Sequence, residues 1–262
     1  MVEFEDVFRF LKVKMAERTQ IESLDSNVTL FCHITDYAKL DVSIMGITWF
    51  LKRPGSPEEV KLFEYFGNNN KTTRPGAVVP LKRLKEGDAS LQLPGLRLED
   101  AGEYRCEVVV TPERAQGHVC LEVVAYPACS LLPETAKVGM NEEITLECKA
   151  SGFYPEFIAI TWSKWTKEVP WFVEISEHIS TAPLSKNKDG TFSTTSLLKL
   201  KSSLADRGNV YQCVVHHSSS TLLRCNSTLI VNTAVLTDKH PETIILRHEC
   251  EDDSHVAAYS GA

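Results

Sequence analysis

The chain has 262 residues, 43% of them hydrophobic, and a formal net charge of −7. That length suits two domains of roughly a hundred residues each with modest tails, and the apolar share is enough for each to bury a core. An acidic balance of this size serves solubility and excludes the basic face that a nucleic-acid partner requires.

Residues 1–10 carry Glu3, Glu5, Asp6 and Arg9, which interrupt the apolar run of a signal peptide. They are read as an extension ahead of a first domain over 11–125. Asn27-Val28-Thr29-Leu30-Phe31-Cys32 alternates with a period of two, which predicts a strand with every second side chain on one face. A loop from His33 to Ser43 leads to the strand of Trp49, and a second loop, Gly67 to Thr73, follows Phe63-Glu64-Tyr65-Phe66. Glu99 and Asp100 precede Tyr104 and Cys106; an aspartate here pairs with an arginine across the sandwich end, and Arg74 and Arg83 are both candidates. A third loop is expected from Thr111 to Gly117, with Cys120 in the strand after it. Val124-Ala125-Tyr126-Pro127 marks the boundary: Pro127 fixes its own φ and removes a donor, and so short a linker predicts a restricted arrangement.

The second domain, 126–232, places Cys148 after Leu146-Glu147, then Trp162, then Tyr211-Gln212-Cys213. Asp189-Gly190 reads as a turn rather than a metal loop, and Phe192 to Leu200 as a core strand. Trp165 and Trp171 are expected to pack on the domain surface. Residues 233–262 include Lys239, Arg247, His248 and the cluster Glu251-Asp252-Asp253, and are read as a disordered tail. Ile244-Ile245-Leu246 is far short of the ~20 apolar residues of a membrane span. Ends of this kind predict either a soluble isoform or an incomplete gene model.

Two brackets, Cys32…Trp49…Cys106 and Cys148…Trp162…Cys213, each with a tyrosine two residues before the second cysteine, define the fold class. It is all-β, with two tandem immunoglobulin sandwiches. Cysteines 74 positions apart leave room for the extra strands of a variable-type domain, and the 65 of the second bracket suit a constant-type domain. Such bridges persist in oxidising compartments. The sequons at Asn27, Asn70 and Asn226 point the same way, with Asn27 and Asn226 expected at strand ends and Asn70 in a loop. Cys129 and Cys225 lie in the first and last strands of the second domain, where an extra bridge is open to them. Cys120 and Cys250 remain; a monomer is expected, with an odd thiol pairing between chains as the route to a covalent dimer.

Catalytic machinery is not visible: no phosphate-binding glycine loop, zinc helix or nucleophile elbow occurs. His216 and His217 are adjacent on a predicted strand, face opposite ways and cannot chelate one ion. The expectation is no enzyme, no metal and no cofactor.

Gly152-Phe153-Tyr154-Pro155 together with Tyr211-x-Cys213-x-Val215-x-His217 resembles the constant-type domains of antibodies, histocompatibility chains and tapasin. One variable and one constant-type domain resemble the co-stimulatory ligand group that includes the butyrophilins. Within that group, several stretches are similar to ligands of activating natural killer cell receptors: 45–50, 87–91, 101–112, 151–156 and 211–215. The likeness spans roughly 11–231. It implies a surface-displayed ligand that contacts a lymphocyte protein receptor through loops at the far end of the first domain. The anchors it suggests are Tyr37 and Leu40 in the first loop and Thr111, Pro112, Glu113 and Arg114 in the third. The first loop, 36–41, departs from the family, and Asn70 places a sequon in the second. The alternative is a tapasin-like assembly factor of the secretory pathway, or a soluble decoy.

Overall fold

The computed structural model describes residues 10–16, 18–35, 40–67, 69–217 and 222–232. In the first domain β1 (Lys12–Met15) and β2 (Thr19–Ser23) divide the entering chain between two sheets. One layer pairs β1 with β4 (Cys32–Thr35) and β3 (Val28–Leu30) with β8 (Leu91–Leu93). The other runs in the order β2, β10 (Glu113–Val124), β9 (Gly102–Val110), β5 (Met45–Lys52), β6 (Glu59–Phe66) and β7 (Asn69–Thr72). The pair β6 and β7 is the addition that the wide cysteine spacing predicts.

The alternation at 27–32 places Val28, Leu30 and Cys32 in the core and leaves Phe31 outside. Trp49 is fully buried, and its indole N–H donates to the Ala89 carbonyl at 3.0 Å, which removes the cost of an unpaired buried donor. The Tyr104 hydroxyl donates to the Asp100 carbonyl at 2.7 Å, and burial raises the phenol's pKa. Gly102, at φ +150, is required beside it: a Cβ there would stand 2.4 Å from the Lys52 carbonyl oxygen. Of the two candidate arginines, Arg74 pairs with Asp100, while Arg83 lies on the short helix α1 (Leu81–Leu84), exposed, 3.9 Å from Asp88.

The second domain stacks a sheet ordered β11 (Ala128–Leu132), β13 (Glu143–Phe153), β18 (Phe192–Lys201) and β16 (Ile179–Thr181), with β17 (Ser185–Lys186) also on β18. Its partner sheet runs β12 (Thr135–Gly139), β20 (Leu222–Asn232), β19 (Val210–His217), β14 (Ile158–Trp165) and β15 (Val173–Ile175). Trp162 is buried and donates to the Ser196 hydroxyl at 3.0 Å, so an inward polar residue on β18 answers the indole. His217 points inward, edge-on to Phe153, with Nε2 3.1 Å from the Pro155 carbonyl, and His216 faces out. Trp165 is half-buried; Trp171 departs from the packing expectation and stands exposed.

Disulfides join Cys32 to Cys106, Cys148 to Cys213 and Cys129 to Cys225. A structural bridge of this kind typically stabilises its domain by about 2–5 kcal/mol. Cys120 is the unbridged thiol among the described residues, and Cys250 lies outside them. At the junction, Ala125 and Tyr154 exchange two backbone hydrogen bonds of 2.9 and 3.0 Å. Asn27 precedes β3, but Asn70 belongs to strand β7 rather than a loop, and Asn226 sits inside β20, with its Oδ1 accepting from Gln212. All three asparagines are exposed. Among the described residues, no helix is long and apolar enough to cross a membrane.

Candidate functional site

The third loop is shorter than its sequence suggests. β9 and β10 pair from Val110 opposite Glu113 onward, so the connection is the two-residue turn Thr111-Pro112, with a cis peptide between them. Arg114 is therefore a strand residue opposite Val109, with its side chain on the outer face of the six-stranded sheet. Glu113 points the other way, and its Oε2 accepts the backbone N–H of Leu11 at 2.5 Å, which ties the turn to the start of β1.

Register places a chain of alternating charges on that outer face. Glu59, Arg105, Glu107 and Arg114 lie on β6, β9, β9 and β10 in order across the sheet. The Arg105 guanidinium grips Glu59 with bonds of 3.1 and 2.6 Å, donates to Glu107 at 2.7 Å, and lies 4.0 Å from the Phe50 ring centroid. Arg114 closes the row on Glu107, yet its side chain stays 63% exposed. The Arg105 hydrogen bond holds the Glu59 carboxyl below its ordinary pKa. For Glu107, burial pushes the pKa up, but the bonds from Arg114 and Arg105 outweigh it and the net shift is down.

Carboxylates with depressed native pKa values stabilise the fold above the unfolded pKa of about 4.3 and lose that contribution as pH falls through the native value. The first domain's melting midpoint should thus hold from pH 7 to about 5 and decline below about 4. Glu107→Gln should flatten part of that decline in scanning calorimetry; an unchanged acid limb would show the row to be energetically idle.

Beside the charges lies an apolar platform. Gly46 stands between Phe66 on β6 and Val109 on β9, and a Cβ on it would meet Phe66 Cδ2 at 3.5 Å and Val109 Cβ at 3.7 Å. The Phe66 ring lies within van der Waals reach of that position and remains 62% exposed. Ile44, two residues before Gly46 in the segment that leads into β5, is also exposed. Sequence patterns single out neither residue as a contact, although Phe66 lies one position past the inward Tyr65 and so faces out by strand parity.

The remaining predicted anchors divide. Leu40 is half-buried and packs against the first domain's core rather than standing free. Tyr37 lies outside the described residues. Thr111, Pro112 and Arg114 share the tip with Ile44 and Phe66, because Met45 pairs with Val110 and Gly46 with Val109. The surface offers aromatic and aliphatic area bordered by partly satisfied charges, which suits a protein partner. Among the described residues, the three acid or thiol ligands that approach closely enough for an ion are Cys129, Cys148 and Cys213, and all three are engaged in disulfides.

Comparisons with known proteins agree with this architecture. The family model of the immunoglobulin V-set domain matches residues 16–123, and that of the immunoglobulin C1-set domain matches 129–220. The chain belongs to the immunoglobulin superfamily, with a V-set domain followed by a C1-set domain. It is a close homologue of human natural cytotoxicity triggering receptor 3 ligand 1: 57% identity over 222 residues, covering 84% of this chain and 48% of that protein. Mouse tapasin-related protein is 29% identical over 200 residues, covering 75% of this chain and 41% of its own length. The chain thus spans about half the length of the curated relatives it matches. Bovine butyrophilin superposes with a TM-score of 0.59 at 17% identity, over 83% of this chain and 98% of that structure. At that identity the likeness speaks for the fold alone.

Proposed function

We propose that this chain is a cell-surface immune ligand whose V-set domain binds natural cytotoxicity triggering receptor 3 on natural killer cells and so triggers cytotoxicity. The observation that carries the reading is the 57% identity to the human ligand of that name across both domains. The platform of Ile44, Phe66 and Val109, with Arg114 at its border, supplies the anchor types that dominate protein interfaces. A standard interface of about 1,200–2,000 Å² would cover the platform and the Thr111-Pro112 turn together. The C1-set domain acts as a spacer that lifts this surface from the membrane.

Surface plasmon resonance of the full chain against the receptor of the same species tests the reading. Saturable binding that weakens in Arg114→Ala is expected; a folded, deglycosylated chain without binding would sink it. Staining of intact cells expressing the complete transcript tests display.

A second reading, an assembly factor inside the secretory pathway, draws on the tapasin-related likeness and the unbridged Cys120. It predicts retention in the cell and a mixed disulfide through Cys120, both absent from a displayed ligand.

A further inference from the structure

On the opposite sheet of the first domain, away from the platform, Asn27 borders a groove of about 370 Å³. Thr29 and Gln92 are cross-strand partners on β3 and β8 and share its floor, and Val78 joins β8 from the other side through two backbone bonds to Gln92, of 2.8 and 3.0 Å. Pro94 closes the near end. Its ring is admitted by Gly76, at φ +81, where a Cβ would stand 2.8 Å from Pro94 Cγ. Val78 is 40% exposed, so the groove presents apolar surface at its rim and two polar side chains at its centre.

The amide of Asn27 is held in one orientation. The Gly95 backbone N–H donates to Oδ1 at 3.0 Å, and since an N–H needs an acceptor, the oxygen is fixed there and Nδ2 takes the other side of the amide, on a residue that borders the groove. Nδ2 is the atom that a sequon offers to an oligosaccharide. Asn27 and Thr29 lie on the same outward face because Val28 between them is buried.

We propose that Asn27 carries an N-linked glycan whose first N-acetylglucosamine seats in this groove, so that the sugar becomes part of the sheet's outer face. The transfer joins sugar C1 to Nδ2, breaks the C1–oxygen bond of a lipid-linked pyrophosphate donor, and releases the amide proton and the lipid pyrophosphate. The sugar's C–H face covers Val78 and Pro94, which otherwise meet water, and its acetamido and hydroxyl groups meet Gln92 and Thr29. β8 is a three-residue strand with one regular partner, so a covalently held cover restrains an element with few other restraints.

The test uses the full chain made by mammalian cells limited to high-mannose glycans, with Asn70→Gln and Asn226→Gln leaving Asn27 as the occupied sequon. Three states are compared: untreated, trimmed by an endoglycosidase to one N-acetylglucosamine, and stripped by an amidase. Hydrogen exchange at 91–93 should be the same in the first two and at least about fivefold faster in the third. Thr29→Ala, which leaves Asn27 unmodified, controls for the aspartate that the amidase creates and should match the stripped form. Val78→Asp should remove the difference between the trimmed and stripped forms. The proposal is overturned if Asn27 is unoccupied by intact mass, if the trimmed protein exchanges like the stripped one, or if all three states are alike. Trimming and stripping act on one preparation that is already folded, so the comparison of the three states needs no further variant to fold.

Discussion

Asp100→Ala is expected to lower the first domain's melting midpoint by on the order of 10–20 °C while the second domain's transition stays in place. The Asp100 and Arg74 side chains are only 3% and 7% exposed, so the pair is held away from water. Asp100 accepts from Arg74 at 2.7 and 3.1 Å and from the Arg97 backbone N–H at 2.9 Å. Removing the carboxylate leaves a buried guanidinium without its counter-charge, which typically costs about 3–5 kcal/mol. Arg74 also donates to the carbonyls of Pro75, Pro94 and Gly95, so it pins the turn that leads into Leu98–Asp100 as well as the charge. Changing both partners, Arg74→Met with Asp100→Leu, should recover part of the loss, because no orphan charge remains. Recovery should be incomplete, because three carbonyls lose their donor. Differential scanning calorimetry, which resolves two domains as two transitions, checks both statements. A first-domain shift of only a degree or two would show that solvent reaches the pair.

The brackets were legible because each part is a short local pattern: alternation around a cysteine, or a tyrosine at fixed offset. What the sequence hides depends on neighbours far along the chain. Residues 113–117 read as a loop because Glu113, Ala115 and Gly117, the inward positions, are not large apolar residues. They are small or polar for a steric reason: β1 lies across them. A Cβ on Gly117 would meet Met15 Cγ at 2.6 Å and Val13 Cγ1 at 3.4 Å, and Glu113 receives the Leu11 N–H. Likewise β7 is exposed at all four positions, so the edge strand shows no apolar period, as edge strands that avoid aggregation often do not. Arg74 and Arg83 could not be separated from sequence, since only the fold reveals which one ends beside Asp100. On β6 a bulge opposite Trp49 and Phe50 brings the consecutive residues Leu62 and Phe63 inward, which obscures the alternation that sends Phe66 out.

For receptor binding, Phe66→Ala is expected to weaken affinity more than tenfold, the largest effect of any alanine replacement at the tip, without moving the first domain's melting midpoint. The two halves follow from one fact. A side chain 62% exposed contributes little to the fold, where surface changes usually stay within about 0.5 kcal/mol, yet it has most of its area still to bury. Aromatic anchors that a partner buries typically account for about 2 kcal/mol or more of an interface, and Val109, across Gly46 from Phe66, adds apolar area beside it. Arg114→Ala should act differently. Its charge sits at the border and is already shared with Glu107, so its loss should slow association and reduce salt dependence more than it hastens dissociation. Leu40→Ala supplies the opposite control: this half-buried residue packs on the core, so stability should fall while affinity per folded molecule holds. Gly46→Glu, which sets a charge between Phe66 and Val109, should abolish binding if the platform is the contact. Surface plasmon resonance with parallel melting curves on each variant separates these effects. Unchanged affinity in both Phe66→Ala and Gly46→Glu would move the receptor off this sheet and toward the segment between His33 and Ser43.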